Sequence, residues 1–216
     1  MIDLRELRER HAGDVTPAIP APSQPATAVL PSAVAASRPS RTLKTLLFAD
    51  FAGYSRLHDA YAPLFQSRFL EIAAAEIAAA PVKPLDGKTW GDALYIVFES
   101  PQDGAEFAVR LQQSMLAVDW KAAGLAESSR LRIALHAGPV FRGFDPIMGR
   151  DNYFGASVTR AARIEPVTPP GVVYASEAFA AMLVASGDQR SVPEYVGRLP
   201  LAKDYGEARI YRLDRR

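Results

Sequence analysis

The sequence contains no cysteine. This absence excludes disulfide bonds, a thiolate nucleophile, and zinc or iron–sulfur sites with cysteine ligands, and it is consistent with a reducing cytosol. The chain also lacks a strong charge of either sign, because 25 lysines and arginines balance 24 aspartates and glutamates, leaving a net charge of +1. This balance offers no electrostatic basis for binding nucleic acid or an anionic membrane.

Long apolar segments are missing as well. None approaches the roughly 20 residues of a membrane-spanning helix. Acidic and basic residues are interspersed over residues 1–15, which excludes a secretory signal there. We therefore expect a soluble, cytoplasmic protein without a membrane span. Its 216 residues, 49% of them hydrophobic, suffice for one domain with a sizeable core.

Residues 16–40 differ in composition from the rest of the chain. They hold six prolines among alanine, serine and threonine. Proline removes backbone hydrogen-bond donors and small side chains bury little area, so this pattern favours an extended linker. We predict a disordered, Pro/Ala-rich N-terminal segment over residues 1–41 and one folded domain over residues 42–216.

Strand-like and helix-like patterns alternate along the predicted domain. We predict strands at 43–49, 82–85, 93–99, 131–140, 172–175 and 209–213, helices at 56–80, 101–118, 156–165 and 177–184, and a turn at Asp86-Gly87. The order strand, helix, strand, strand, helix, strand is that of a ferredoxin-like βαββαβ fold. It predicts an α+β domain with an antiparallel sheet and helices on one face. Such a fold hosts many activities, so it does not identify the chemistry.

Two aspartates lie at turns of the predicted sheet. Asp50 ends the first apolar strand, and Asp92 lies in the hairpin that follows the first helix. In the predicted topology the first strand pairs with this hairpin, so the two carboxylates can converge. Paired carboxylates with room for water and phosphate oxygens suit Mg²⁺, which takes few protein ligands. Either aspartate alone is more typical of a cap or a turn.

Three blocks of sequence carry a resemblance to a known family. They are FADFAGYS at 48–55, KTWGDAL at 88–94, and ALHAGPV at 134–140 followed by NYFG at 152–155 and VTRAARIE at 158–165. With these blocks in order, residues 43–176 closely resemble the catalytic domain of class III adenylyl and guanylyl cyclases, bacterial members in particular. The resemblance implies the cyclase fold and a lyase that converts a nucleoside triphosphate to a 3′,5′-cyclic nucleotide and pyrophosphate.

The resemblance also implies a metal site. Asp50 and Asp92 match the family's two metal-binding aspartates, and the carbonyl of Phe51 matches an additional ligand. Two Mg²⁺ or Mn²⁺ ions per site are implied. One would activate the ribose 3′-hydroxyl for attack on the α-phosphate, and the other would hold the triphosphate and the leaving pyrophosphate.

Three further positions match residues that bind the substrate in the family. Arg163 matches the arginine that stabilises charge on the α-phosphate in the transition state. Thr159, four residues earlier on the same helix face, stands where the family has an asparagine that positions the ribose. Arg209 matches a triphosphate-binding lysine. The alternatives are a surface ion pair between Arg163 and Glu165, and an exposed strand arginine at 209.

Two positions match the base-reading residues of the family. Lys88 stands where adenylyl cyclases have lysine, which suits adenine and disfavours guanine. Asn152 stands where typical adenylyl cyclases have aspartate, and an amide can accept or donate depending on its orientation. ATP is slightly favoured, and UTP and CTP stay open. Asp151 is an alternative reader, and a turn-forming role is the alternative for Asn152.

In the family, the metal aspartates of one protomer face the other substrate-binding residues of its partner. We therefore expect a homodimer with shared active sites, since this chain holds both halves. The leading hypothesis is an active cyclase that makes a second messenger. One alternative is a pyrimidine cyclase that makes cUMP or cCMP in bacterial antiphage signalling. Another is a catalytically degenerate, nucleotide-binding regulatory domain, which Thr159 and Asn152 would favour.

Overall fold

The computed structural model describes residues 40–215, so the predicted disorder of residues 1–39 lies outside the described residues. This range holds eight strands and four α-helices. The strands are β1 (Arg41–Phe51), β2 (Asp86–Trp90), β3 (Ala93–Phe98), β4 (Leu131–Asp145), β5 (Arg150–Phe154), β6 (Val173–Ser176), β7 (Ser191–Pro200) and β8 (Glu207–Arg215); the helices are α1 (Ala62–Ala79), α2 (Pro101–Leu116), α3 (Ala156–Ile164) and α4 (Glu177–Ala185).

All eight strands belong to one sheet. Its order is β2-β3-β1-β4-β6-β8-β7, and β5 pairs with the distal part of β4. β1 lies between β3 and β4 and is antiparallel to both. The predicted α+β class with a largely antiparallel sheet is therefore confirmed. One pair departs from it, because β4 and β6 are parallel. Their connection runs through α3, and such a crossover returns the chain in the same direction.

The main core lies on one face of the sheet. Alternate residues of β1, including Leu47 and Phe51, pack there against α1, α2 and α4. Phe65 and Phe69 of α1 are spaced i, i+4, so both point at the sheet and stack on each other at 5.4 Å. Burial of such aromatic side chains contributes most of the hydrophobic stabilisation of this layer.

The opposite face carries a smaller apolar layer under α3. Leu46 and Val97 of the sheet contact Val158 and Ala161 of this helix. The prediction that all helices lie on one face is therefore wrong. The reason is the apolar stripe of α3, which needs a second buried surface and finds it on the residues of β1 and β3 that alternate away from the main core.

Other sequence predictions need correction at their boundaries. Residues 82–85 are not a strand, and Asp86-Gly87 is not the turn: both residues begin β2, and the hairpin turns at Gly91-Asp92. The first helix begins at Ala62 with Pro63 in its first turn, after two short 3₁₀ turns, and not at residue 56. β5 and β7 were not predicted.

Within residues 40–215, no helix is long and apolar enough to cross a lipid bilayer.

His136 joins the two parallel strands. It is buried in β4, and its Nδ1 lies 2.7 Å from the Oγ of Ser176 at the end of β6. Burial and, to a smaller extent, the positive charge of Arg160 together lower the pKa of His136 from 6.5 to about 4. The imidazole is therefore neutral in the folded protein at neutral pH.

The depressed pKa predicts a loss of stability in acid. In the unfolded chain the pKa of His136 is ordinary, so protonation favours unfolding. The stability that the neutral imidazole contributes is therefore fully present above pH 6.5 and is lost as pH falls towards 4. We expect this loss to reach about 3 kcal/mol of unfolding free energy. Denaturant unfolding across this pH range should show that the unfolding free energy depends less steeply on pH in His136→Gln than in the parent protein. His58→Gln, at an exposed histidine, should keep the parent slope, and equal slopes for all three proteins would contradict the assignment.

Candidate active site

The strand register brings Asp50 and Asp92 together. Asp50 lies opposite Ala93 in the pairing of β1 with β3, and Asp92 directly precedes Ala93 in the two-residue β2–β3 hairpin loop. Gly91, the first residue of that loop, has a positive φ of 58°. Glycine is favoured at this position of a tight hairpin because it has no Cβ to clash. A short turn thus holds Asp92 beside the end of β1.

The two carboxylates interact directly. The pKa of Asp92 is raised from 3.8 to about 7, first by burial, then by a hydrogen bond to Asp50 and by the charge of Asp50. The main chain of Phe51 also lies at this pair, because its N–H donates to Asp92 and partly offsets the shift. Two like charges this close are unfavourable unless a proton or a cation lies between them.

Arg132 is the charge partner on the other side of Asp50. It lies directly opposite Asp50 in the pairing of β1 with β4, and its Nη2 forms an ion pair with the Asp50 carboxylate. Its Nε lies 2.9 Å from Glu165 Oε1, an ion pair whose angles do not make a hydrogen bond. Burial raises the pKa of Glu165 to about 7, with Arg132 lowering it and the two aspartates raising it.

Arg132 was not recognised from the sequence as part of the site. The available signal was a charged residue near the start of an otherwise apolar strand, where a half-buried side chain needs a partner. The partners were not visible, because Asp50 and Glu165 are far from Arg132 along the chain. The structure also shows Glu165 paired with Arg132, so the ion pair between Arg163 and Glu165 considered above is not formed.

The donor set suits a small divalent cation. Two carboxylates and the adjoining main chain supply oxygen ligands, which Mg²⁺ and Mn²⁺ prefer. The residues of the described range 40–215 include no cluster of three or more histidine, cysteine, aspartate and glutamate side chains with metal-binding geometry. The charge of Asp50 contributes to the raised pKa of Asp92, and a cation bound between the two carboxylates would lower their repulsion.

Lys88 and Asn152 meet across a gap between β2 and β5. The Nζ of Lys88 donates to the Oδ1 of Asn152. Asp86, whose side chain is only 3% exposed, lies 3.5 Å from the same Nζ. Arg150 of β5 donates to the other oxygen of Asp86 at 2.7 Å. A network of charged groups therefore fixes the two strands relative to each other.

A cavity of about 750 Å³ opens beside this pair. Its walls combine aromatic and aliphatic side chains with a few polar groups, as ligand sites commonly do. The lining includes Lys88, Asn152, Thr159, Phe48, Trp90 and Phe154. Neither Asp50 nor Asp92 lines it. The predicted base-reading residues and Thr159 thus share one cavity, and the aspartate pair lies outside it.

The other predicted substrate residues lie elsewhere. Arg163 is half-buried on α3, four residues after Thr159, and its guanidinium has no hydrogen bond or ion pair to residues 40–215. Arg209 is exposed on β8, forms an ion pair with Glu177 at 2.7 Å and lines a separate, smaller cavity. Asp151 points away from Lys88 and pairs with Arg142 at 2.7 Å. The structure thus brings Lys88, Asn152 and Thr159 together, and it leaves Arg209 apart from them.

Comparison with known proteins identifies related sequences. A family model described as the adenylate and guanylate cyclase catalytic domain matches residues 41–211. An adenylate cyclase of Neurospora crassa is 29% identical over 108 residues, which cover 43% of this chain and 5% of that protein. This chain therefore spans only a small part of the length of that relative.

Solved structures of cyclases share the fold. The adenylyl cyclase CyaB from P. aeruginosa has a TM-score of 0.68 at 17% identity, covering 82% of this chain and 96% of that chain. A dimeric guanylyl cyclase domain of the RhoGC fusion protein from the aquatic fungus Blastocladiella emersonii has a TM-score of 0.66 at 19% identity, with coverages of 82% and 99%. At such identities the likeness shows the fold alone.

The repulsion between Asp50 and Asp92 predicts that one of them destabilises the metal-free protein. At pH 8, Asp92→Asn should raise the unfolding free energy by about 1 kcal/mol, a value reduced for solvent screening because Asp92 is only half-buried. Denaturant unfolding in the presence of a chelator measures this. Asp59→Asn, at an exposed aspartate, serves as the control and should change little. A lower stability of Asp92→Asn would mean that the carboxylate is stabilising and not repelled.

Proposed function

The chain belongs to the adenylate and guanylate cyclase catalytic domain family, and on that premise we propose that it is a metal-dependent cyclase that converts a nucleoside triphosphate to a 3′,5′-cyclic nucleotide and pyrophosphate. The observation that carries the proposal is the position of Asp50 and Asp92, which the pairing of β1 with β3 holds beside each other at the end of β1. Two like-charged carboxylates at the end of a central strand are costly for stability and useful for holding cations.

Asp50, Asp92 and the carbonyl of Phe51 would hold Mg²⁺ or Mn²⁺, two ions per site. Bound there, the cations supply charge neutralisation for the triphosphate and favour ionisation of the ribose 3′-hydroxyl. In the reaction, a bond forms between O3′ and the α-phosphorus while the bond from that phosphorus to the pyrophosphate oxygen breaks. The hydroxyl proton is released to solvent.

Two arginines are suited to stabilise the phosphates. Arg163 has no ionic partner among residues 40–215, so its guanidinium is available for the negative charge that builds up on the α-phosphate. Arg132 keeps a positive charge beside the aspartates. That charge would also attract the phosphates of a bound nucleotide. Thr159 would contact the ribose from the same helix face as Arg163.

A site shared by two copies of the chain explains the separation of these groups. The cavity that holds Lys88, Asn152 and Thr159 does not include the aspartate pair. A head-to-tail dimer with two-fold symmetry would bring the cavity of one copy against the aspartates of the other. Large apolar side chains exposed near the cavity support such an interface: Trp90 is 88% exposed and Ile147 95% exposed.

The substrate base is read by Lys88 and Asn152 in this proposal. The ammonium of Lys88 donates to a ring acceptor, which favours ATP. Asn152 in place of aspartate keeps the pyrimidine triphosphates as the alternative, with cUMP or cCMP as the product and antiphage signalling as the role.

Incubation of the purified protein with each of the four nucleoside triphosphates and Mn²⁺ tests the reaction. We expect a cyclic product by mass spectrometry, with GTP the poorest substrate. Asp50→Ala should lower the rate by about 100-fold or more, since it removes a metal ligand. Asp59→Ala, at an exposed aspartate, should retain the parent rate.

Two outcomes would overturn parts of this proposal. Binding of nucleotide without any cyclic product would favour the regulatory, catalytically degenerate domain. A full rate for Asp50→Ala would remove the aspartate pair from the mechanism while leaving the activity in place.

Mixing of two inactive variants tests the shared site. Asp50→Ala and Arg163→Ala damage opposite halves, so one of the two sites in a mixed dimer stays intact. Random pairing of equal amounts should restore about a quarter of the parent activity. The matched control is Asp50→Ala mixed with Asp92→Ala, which damage the same half and should give no recovery. Absence of recovery in the first mixture, with subunit exchange verified by mass spectrometry, would count against sites built from two chains.

A further inference from the structure

The side chain of Asn152 is held from both sides. Its Oδ1 accepts from the ammonium of Lys88, and its Nδ2 donates to the Oδ2 of Asp145 at 3.3 Å. Asp145 ends β4 and Asn152 lies in β5, two positions from the residue that pairs with Asp145. Diagonal neighbours across antiparallel strands lie on the same face of the sheet, which brings these side chains into contact.

These contacts select one of the two orientations of the amide. In the opposite orientation, the amide oxygen would face the carboxylate of Asp145 and the NH₂ group would face the ammonium of Lys88. Both contacts would be repulsive, because a carboxylate only accepts hydrogen bonds and an ammonium only donates them. Asn152 therefore presents its carbonyl oxygen on the side of Lys88.

Asp145 is itself fixed by the β4–β5 turn. Its Oδ1 accepts from the N–H groups of Ile147 and Met148 at 3.0 and 3.2 Å, and its carbonyl accepts from the N–H of Gly149 at 2.9 Å. The hydrogen bonds from Met148, Ile147 and Asn152 also lower the pKa of Asp145. The carboxylate is therefore ionised at neutral pH, and only Oδ2 remains for Asn152.

Lys88 is restrained in the same way. The buried carboxylate of Asp86 lies 3.5 Å from its Nζ, and Arg150 ties Asp86 to β5. The ammonium and the amide oxygen are therefore held side by side at the wall of the cavity. Together they present one donor and one acceptor to a ligand.

We propose that Asp145 is a positioning residue that sets base specificity by fixing the amide of Asn152. This inference rests on the proposed function, in which the cavity receives the substrate base. A donor beside an acceptor matches an exocyclic amino group next to an unprotonated ring nitrogen, the edge of adenine and cytosine. Guanine or uracil in the same position would set a carbonyl against the Asn152 oxygen and an N–H against the ammonium. The structure thus favours ATP and CTP over GTP and UTP.

Asp145→Asn tests this inference with little change in shape. The introduced asparagine can accept from the turn N–H groups through its oxygen, but it then presents an NH₂ group to Asn152. The amide of Asn152 then meets a repulsive contact in either orientation, with this NH₂ group or with the ammonium of Lys88, so it is no longer held with its oxygen towards the base. We expect the preference for amino bases, measured as the ratio of dissociation constants for ATP or CTP against GTP or UTP, to fall by about tenfold or more.

The measurement is titration calorimetry with each of the four nucleotides in the presence of Ca²⁺, a probe of binding, accompanied by initial cyclisation rates with Mn²⁺. The double variant Asp145→Asn with Asn152→Asp exchanges the carboxylate and the amide, so it should recover the parent preference. Asp119→Asn is the control. Asp119 also accepts from a main-chain N–H two residues ahead, at 3.0 Å, but it is exposed and does not line the cavity.

The outcomes separate this inference from the proposed function. An unchanged base preference in Asp145→Asn, or a parent protein that binds all four nucleotides equally, would overturn the role of Asp145 while the cyclase proposal stands. A parent protein that binds none of the four would overturn both. A double variant that stays unselective while circular dichroism shows an intact fold would reduce Asp145 to a turn residue.

Discussion

The antiparallel register of β1 against β3 and β4 is the constraint on which the rest of the site depends. It places Asp50 opposite Ala93 on one side and opposite Arg132 on the other. The first pairing brings Asp92 beside Asp50, and the second brings the guanidinium of Arg132 beside it. If the pairing of β1 shifted by one residue, Asp50 would point into the main core and Phe51 would point out of it. Because alternate residues of β1 are fully buried there, the hydrophobic core itself enforces the geometry of the carboxylates.

The charges gathered by this register are poorly balanced in the protein alone. Asp50 and Glu165 share the guanidinium of Arg132, whereas Asp92 lies beside Asp50, and the raised pKa values of Asp92 and Glu165 express the cost of burying so much negative charge. Sites that break the ordinary rules of burial are commonly functional, since a bound ligand can restore the balance. A family of enzymes that act on polyanionic triphosphates with cations has a use for such an arrangement.

The sequence was sufficient to predict the parts that depend on local pattern. The positions of Asp50 at a strand end and of Asp92 in a hairpin were predicted, and their approach follows from the pairing of the first strand with that hairpin. The sequence was insufficient where a residue's role depends on a distant partner. Asp86-Gly87 has the composition of a turn, yet Asp86 is buried in β2 because Arg150 supplies its counter-charge. The five-residue β5 is largely polar, and the ten-residue β7 contains proline and glycine; both lack an apolar alternation.

In the proposed mechanism, base reading and phosphate chemistry rest on different parts of the fold. The aspartates belong to the rigid centre of the sheet, whereas Asn152 belongs to a hairpin that extends from the distal half of β4. On this proposal, replacements in the hairpin would change the hydrogen bonds offered to a base without moving Asp50 and Asp92. An ionic network around the buried carboxylate of Asp86 is a costly way to join β2 to β5, since apolar packing would be at least as stable. Asp86, Arg150 and Asp145 are better explained by the orientation that they impose on Lys88 and Asn152 than by stability.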